Sequence, residues 1–308
     1  MSIIEKALNK AKDEGQQLNK PVEVNAEIAL KFEEKISSFK KTLPISDPDV
    51  SVDVSLPKEP ILENQEIDEL DWDRLAELGF VTPGDSNTQT VEEFRNIKHP
   101  LVGNAFGAGN VGIKRANLIL VTSSLPGEGK TFTAINLALS IANERDKKVL
   151  LIDADVARPS IAKTLGIKTS PGLIEYLEGQ DVSFSDIIRK TSMPGLRVIP
   201  SGKQHKHSTE LLSSNRMVVL AEELSKRYPD RIVIFDSPPL LAATQGEVLA
   251  KLVGQIVLVI EAEKTLQSMV MESVEKLSSC DVVLAVFNKA QSSMDNYQYG
   301  YGYGHYAH

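Results

Sequence analysis

Residues 118–131 read LILVTSSLPGEGKT, and the order of events within them decides the fold. Leu118–Val121 is a short, continuous apolar run of the kind that forms a buried strand. A loop with glycines at 127 and 129 follows, and Lys130-Thr131 then opens a stretch of helical periodicity over Thr131–Glu144. Strand, glycine loop and helix in this order are the setting in which a Gly-Lys-Thr ending works as a Walker A phosphate loop. Glycine lets backbone N–H groups turn inward around phosphate oxygens, and the helix start adds the positive end of its dipole. In that setting Lys130 reaches the β- and γ-phosphates of ATP and the Thr131 hydroxyl ligates Mg²⁺. The expected nucleotide-binding set is Ser124, Pro126, Gly127, Glu128, Gly129, Lys130, Thr131 and Phe132. One residue departs from GxxxxGK[ST], because Ser124 stands where the first glycine belongs. A plain glycine turn into a helix is the competing reading, and the Lys130-Thr131 pair opposes it.

Outward from this loop, apolar runs recur at Val149–Ile152, Leu196–Ile199, Ile232–Phe235, Ile256–Ile260 and Val282–Phe287. Helical patterns separate most of them, for example Thr131–Glu144, Glu210–Lys226 and Leu266–Ser279. Continuous apolar strands alternating with helices predict a doubly wound, mostly parallel α/β sheet covered on both faces. Two of the runs end in carboxylates, Asp153-Ala-Asp155 and Asp236-Ser-Pro-Pro239. Strand C-termini of a parallel sheet share one edge, where the ligand crevice lies. Asp153, Asp155 and Asp236 are therefore expected beside Lys130, with Thr131, Asp155 and Asp236 holding Mg²⁺ directly or through water. A lone Asp after a strand is often only a helix N-cap, a reading that weakens for three beside such a loop.

Composition bounds the rest. With 42% hydrophobic and 25% charged residues in 308, the chain has the makeup of an ordinary globular protein. Its formal charge of -8 and lack of a basic block argue against nucleic acid as a partner. Cys280 is the single cysteine, which suits a reducing compartment. No apolar window approaches a membrane span and the N-terminus lacks a signal-peptide pattern, so a cytoplasmic location is expected. Residues 1–90 carry Pro21, Pro44, Pro48, Pro57, Pro60 and Pro83 amid acidic residues, which predicts a flexible arm with short helices. Ile4, Leu8 and Ala11 at helical spacing make the first helix a docking element or a patch on the core. The folded domain is expected over 91–290 and a tail over 291–308.

That tail ends in YQYGYGYGHYAH (297–308), which gathers Tyr297, Tyr299, Tyr301, Tyr303 and Tyr306 of the chain's 7 tyrosines. Alternating glycines keep the backbone loose, and a chain end has little to pack against. Such a segment is a sticky low-complexity tail or a set of hydroxyls offered for phosphorylation. An upstream phosphate-handling domain favours the second.

Taken together, SSLPGEGKT, VLLIDADVARP and IVIFDSPP resemble the Walker A, A′ and B set of the bacterial tyrosine kinases. The likeness covers about residues 91–290 and extends to PGLIEYLEG (171–179), the PSG of 200–202 and TELLSS (209–214). Glu92-x-x-Arg95-x-x-Lys98 looks like the family's ExxRxxR oligomerisation helix with Lys in the last place. The flavour of EEFRNIKHPLVGNAF and DADVARP is similar to stand-alone autokinases of exopolysaccharide and exosortase systems. The resemblance implies ATP-dependent autophosphorylation of the tail tyrosines in trans, with Asp153 accepting the tyrosine proton. It also implies a ring-like homo-oligomer, other tyrosine-containing substrates, and a separate membrane-bound chain-length regulator that recruits the chain to the membrane. Asn288 is a candidate for adenine recognition or a strand-ending turn residue. Arg158 falls one residue later than in the common DxDxR form of A′. The alternative class is a dimerising switch ATPase of the partition or septum-positioning type. Those carry a second lysine two residues beyond the position of Ser123, where this chain has Leu125.

Overall fold

A computed structural model describes residues 66–85, 88–107, 112–204, 207–227 and 230–290. The expected docking helix near Ile4 and the tyrosine tail lie outside the described residues. Among the described residues eight strands form one sheet in the order β1-β4-β5-β3-β6-β2-β7-β8. They are β1 (Ile67–Asp68), β2 (Leu118–Ser123), β3 (Lys148–Asp153), β4 (Arg189–Thr191), β5 (Leu196–Ile199), β6 (Arg231–Asp236), β7 (Gln255–Glu261) and β8 (Val282–Asn288). All neighbouring pairs are parallel except β4 and β5. The six strands read from the sequence are all present. The other two, β1 and β4, are two- and three-residue pieces that carry no apolar run to announce them.

Strand side chains alternate between two cores, as a pleated sheet requires. Leu118, Leu120, Leu150, Ile152, Val233 and Phe235 face one core. Ile119, Val121, Val149, Leu151, Ile232 and Ile234 face the other. Among the described residues the helices are α1 (Trp72–Glu77), α2 (Gln89–Phe106), α3 (Lys130–Ala142), α4 (Ile161–Leu165) and α5 (Leu173–Glu178). They continue with α6 (Phe184–Ile187), α7 (Ser208–Leu211), α8 (Asn215–Arg227), α9 (Gln245–Ala250) and α10 (Gln267–Lys276). Helix α3 fills the second core with Ala134, Ile135, Leu137, Ala138 and Ile141. Helix α8 covers the first with Met217, Leu220, Ala221 and Leu224.

Two expectations are corrected here. The single helix foreseen over Glu210–Lys226 is two, because Ser214 stops the first and caps the second, its hydroxyl accepting from Met217 N–H at 3.3 Å. Packing also begins well before residue 91. Leu70, Leu75, Phe80 and Val81 are buried in the second core, and the Val81 N–H donates to Asn136 Oδ1 of α3 at 2.7 Å. Residues 66–81 therefore belong to the folded domain. No helix among the described residues is long and apolar enough to cross a membrane.

Candidate nucleotide and phosphoryl-transfer site

The phosphate loop leaves β2 and closes at Gly129, the N-cap of α3. Gly127 and Gly129 have φ of 89° and 98°, a left-handed backbone that costs glycine nothing. Ser124 needs no such freedom: it is not among the residues with positive φ. It is fully buried, and its hydroxyl accepts from Ser273 Oγ of α10 at 2.8 Å. The departure from the strict glycine pattern is thus accommodated by a small polar partner across the core.

Glu128 does not face outward. Its carboxylate is 2% exposed and accepts from the Leu125 N–H at 2.7 Å. The Thr265 hydroxyl donates to its other oxygen. That leaves Glu128 only its backbone to offer a nucleotide, and the same holds for Phe132. The Phe132 ring packs against Phe80 and Phe94 with centroids 5.1 and 6.3 Å away. Asn288 does not project freely towards a base either, since its Nδ2 donates to the Glu128 carbonyl at 2.9 Å.

The carboxylates converge as the sheet register dictates. Asp153 and Asp236 are direct partners across β3 and β6. Lys130 Nζ pairs with Asp155 at 2.8 Å, with side chains 14% and 4% exposed. The Thr131 hydroxyl donates to Asp236 Oδ2 at 2.7 Å and lies 3.3 Å from Ser160 Oγ. Asp153 Oδ2 accepts from the Ser160 and Ile161 N–H groups at 3.0 Å each. Asp155 Oδ1 accepts from the Arg158 N–H at 3.1 Å, while the Arg158 side chain is exposed.

Burial and like charge raise the acids. Desolvation first, then the charge of Asp236, pushes Asp153 up to about 8 against the pull of its two backbone donors. Desolvation likewise pushes Asp236 up to about 6, while Lys130 and the Thr131 hydroxyl hold it down. For Lys130, burial favours the neutral amine, but Asp236, Asp155 and Asp153 outweigh it and raise its pKa. The amine is therefore a fixed positive charge over the loop.

These residues fit a Mg²⁺–nucleotide complex. Asp153 Oδ1 and Asp236 Oδ1 are buried carboxylate oxygens with no hydrogen-bond partner among the described residues, an arrangement that costs free energy until a donor or hydrated cation meets them. Among the described residues no three His, Cys, Asp or Glu side chains gather to hold a metal by themselves. A Mg²⁺ held by Thr131, Asp155 and Asp236 would complete its shell from phosphate oxygens and water, as this ion usually does.

Sequence reasoning missed Ser160, Thr265 and Lys289. Ser160 could have been found as the polar residue after Pro159, ahead of a helical run. Nothing near Thr265 or Lys289 marks them in the sequence. The Glu92–Arg95–Lys98 triplet lies on α2, and it divides. Glu92 and Arg95 pair with each other, each 52% exposed. Lys98 instead turns inward, donating to the Ser140 carbonyl at 2.8 Å and pairing with Glu144 at 2.9 Å. Within one chain the triplet presents an exposed Glu92–Arg95 pair, because Ser140 of α3 and Glu144 supply Lys98 with acceptors.

The chain is similar to known proteins. A family profile described as an AAA domain matches residues 116–290. The tyrosine-protein kinase ptk of Acinetobacter johnsonii is 41% identical over 151 residues, 49% of this chain and 20% of that protein. The tyrosine-protein kinase YwqD of Bacillus subtilis is 36% identical over 185 residues, covering 59% of this chain and 76% of YwqD. The chain thus spans about a fifth of the first relative and three quarters of the second. The solved kinase domain of the Escherichia coli tyrosine kinase Etk superposes with a TM-score of 0.56 at 27% identity, covering 76% of this chain and 93% of that one.

Proposed function

Because the chain belongs to the bacterial tyrosine-kinase family, with an AAA domain over residues 116–290, we propose that it transfers the γ-phosphoryl group of ATP to tyrosine hydroxyls. The observation that supports this most is the meeting of Lys130, Thr131 and three strand-end carboxylates, two with unpaired buried oxygens. Mg²⁺, when bound, supplies charge neutralisation on the β- and γ-phosphates. The protein groups do the positioning. Lys130 stands over the loop where the phosphates lie, and the helix N-terminus of α3 faces the same charge. Asp236 fixes the Thr131 hydroxyl and Asp155 fixes the Lys130 amine.

Asp153 is the proposed acceptor of the tyrosine proton. Its backbone donors hold one oxygen, which leaves Oδ1 to meet the hydroxyl. Its raised pKa brings it closer to that of a tyrosine hydroxyl, near 10, than an ordinary carboxylate stands. No covalent enzyme intermediate is required.

The acceptors are Tyr297, Tyr299, Tyr301, Tyr303 and Tyr306 of a neighbouring copy, with other tyrosine-containing proteins as further substrates. A stretch as long as 291–308 has a contour of about 60 Å, ample to reach an adjacent subunit. Regulation of exopolysaccharide synthesis or export, a ring-like homo-oligomer, and recruitment to the membrane by a chain-length regulator complete the proposal. Leu125, where partition-type switch ATPases carry a lysine, disfavours that alternative.

The test mixes two chains with labelled ATP: full-length Lys130→Met, and an active chain lacking 297–308. Label on the tyrosines of the inactive chain is expected. If only a wild-type chain labels its own tail, transfer is in cis. If ATP is hydrolysed and no tyrosine is labelled in any mixture, the switch-ATPase reading replaces this one.

A further inference from the structure

The phosphate loop is held from outside by the residues that end the sheet. Asn288, the last residue of β8, donates from Nδ2 to the Glu128 carbonyl at 2.9 Å. Lys289, the next residue, donates from Nζ to the Gly127 carbonyl at 2.8 Å. These two carbonyls are consecutive in the glycine turn. A trans peptide carries its carbonyl and the following N–H on opposite sides. Pinning the Gly127 and Glu128 carbonyls therefore turns the Glu128 and Gly129 N–H groups away from β8. Neither N–H has an acceptor among the described residues. Two consecutive free N–H groups on one side of a glycine turn form an anion-binding nest.

The contacts are built rather than incidental. A Cβ at Gly129 would lie 1.9 Å from Asn288 Nδ2, so the amide is seated on the glycine itself. Lys289 has φ of 59°, a left-handed backbone uncommon for a residue with a side chain. Its amine also pairs with Glu261 at 3.2 Å, which aims it across the strand end.

We propose that Asn288 and Lys289 are positioning residues of the phosphate loop. They fix the Gly127 and Glu128 peptides so that two N–H groups already face the nucleotide's phosphates before it binds. This rests on the nucleotide-binding half of the function proposed above and not on tyrosine transfer. It places the Asn288 amide on the loop rather than on the base.

The test measures binding of inorganic tripolyphosphate and of ATP, each with Mg²⁺, by calorimetry on the full chain. The variants are Lys289→Gly, Lys289→Arg and Asn288→Ala. Glycine tolerates the positive φ, so Lys289→Gly should melt no lower than wild type. It should nonetheless bind both ligands about tenfold more weakly, the scale of one lost charge-assisted hydrogen bond. Lys289→Arg should keep most of the affinity, and Asn288→Ala should lose a similar factor for both ligands. Unchanged tripolyphosphate affinity in Lys289→Gly and Asn288→Ala would overturn the proposal. So would a fall in melting temperature of Lys289→Gly alongside its affinity. Loss of ATP but not tripolyphosphate binding in Asn288→Ala would return that residue to the base. A chain that binds both ligands normally but labels no tyrosine would defeat the kinase reading alone.

Discussion

Asp153 shows how a single side chain ties stability to chemistry. Its carboxyl is raised to about 8 in the folded protein, against about 3.9 in an unfolded chain. The folded state therefore holds that proton more tightly, so the contribution to stability is greatest in acid. It declines as pH climbs from about 4 to about 8 and is constant above. Asp153→Asn does not titrate, and its amide oxygen still accepts from Ser160 and Ile161. In nucleotide-free, Mg²⁺-free buffer the variant should melt above wild type at pH 8, with the gap closing towards pH 4. A gap that does not change with pH, seen in thermal melts across that range, would contradict the burial account. The same variant should transfer phosphate about 10²–10⁴-fold more slowly, the usual worth of a positioned base. Residues of this kind were legible because they sit where strands end. Glu128 was legible as a loop residue but not as a buried one, since its partner Thr265 is 137 positions away.

Among the elements, the segment before α2 was least visible. Its apolar residues, Leu70, Leu75, Phe80 and Val81, are too few and too interrupted by acids and Pro83 to give a periodic signal. Only the tertiary surface of α3 shows what they cover. Phe80 is 7% exposed and packs at a tilt against Phe132, the residue after Thr131. Phe80→Ala should cost about 3–5 kcal/mol of stability in urea titration. A loss under about 1 kcal/mol would mean that the segment is not part of the core. A helix through Glu92, Arg95 and Lys98 was implied by the resemblance alone, and which way Lys98 turns depended on the Ser140 carbonyl and on Glu144, just beyond α3. The consequence is separable. Lys98→Ala should lower the melting temperature and leave assembly intact, whereas Arg95→Ala should weaken assembly with little effect on melting. Light scattering and thermal melts on both variants check this, and a reversed pattern would contradict it.

For the molecule as a whole, the sheet and its ligand edge followed from alternating apolar runs, while the short strands β1 and β4 at one end of the sheet did not. Charge is the whole-chain property that phosphorylation would change most. Each phosphotyrosine adds about -1.5 to -2 charges, so five would add roughly as much again as the formal -8 of the chain. Screening confines that repulsion to about 8 Å at physiological salt. It therefore acts where a tail docks at a neighbour's acidic site, and the phosphorylated form should be the smaller assembly in size-exclusion with light scattering. Equal masses for the two forms would contradict this. The central claim itself is tested most directly by incubating the full chain and Lys130→Met with labelled ATP and Mg²⁺ and mapping the modified residues by mass spectrometry. The account predicts phosphotyrosine at positions within 297–306 in the first and none in the second, with both equally folded. Label-free tyrosines in an active, ATP-hydrolysing chain, or undiminished phosphotyrosine in Lys130→Met, would contradict it.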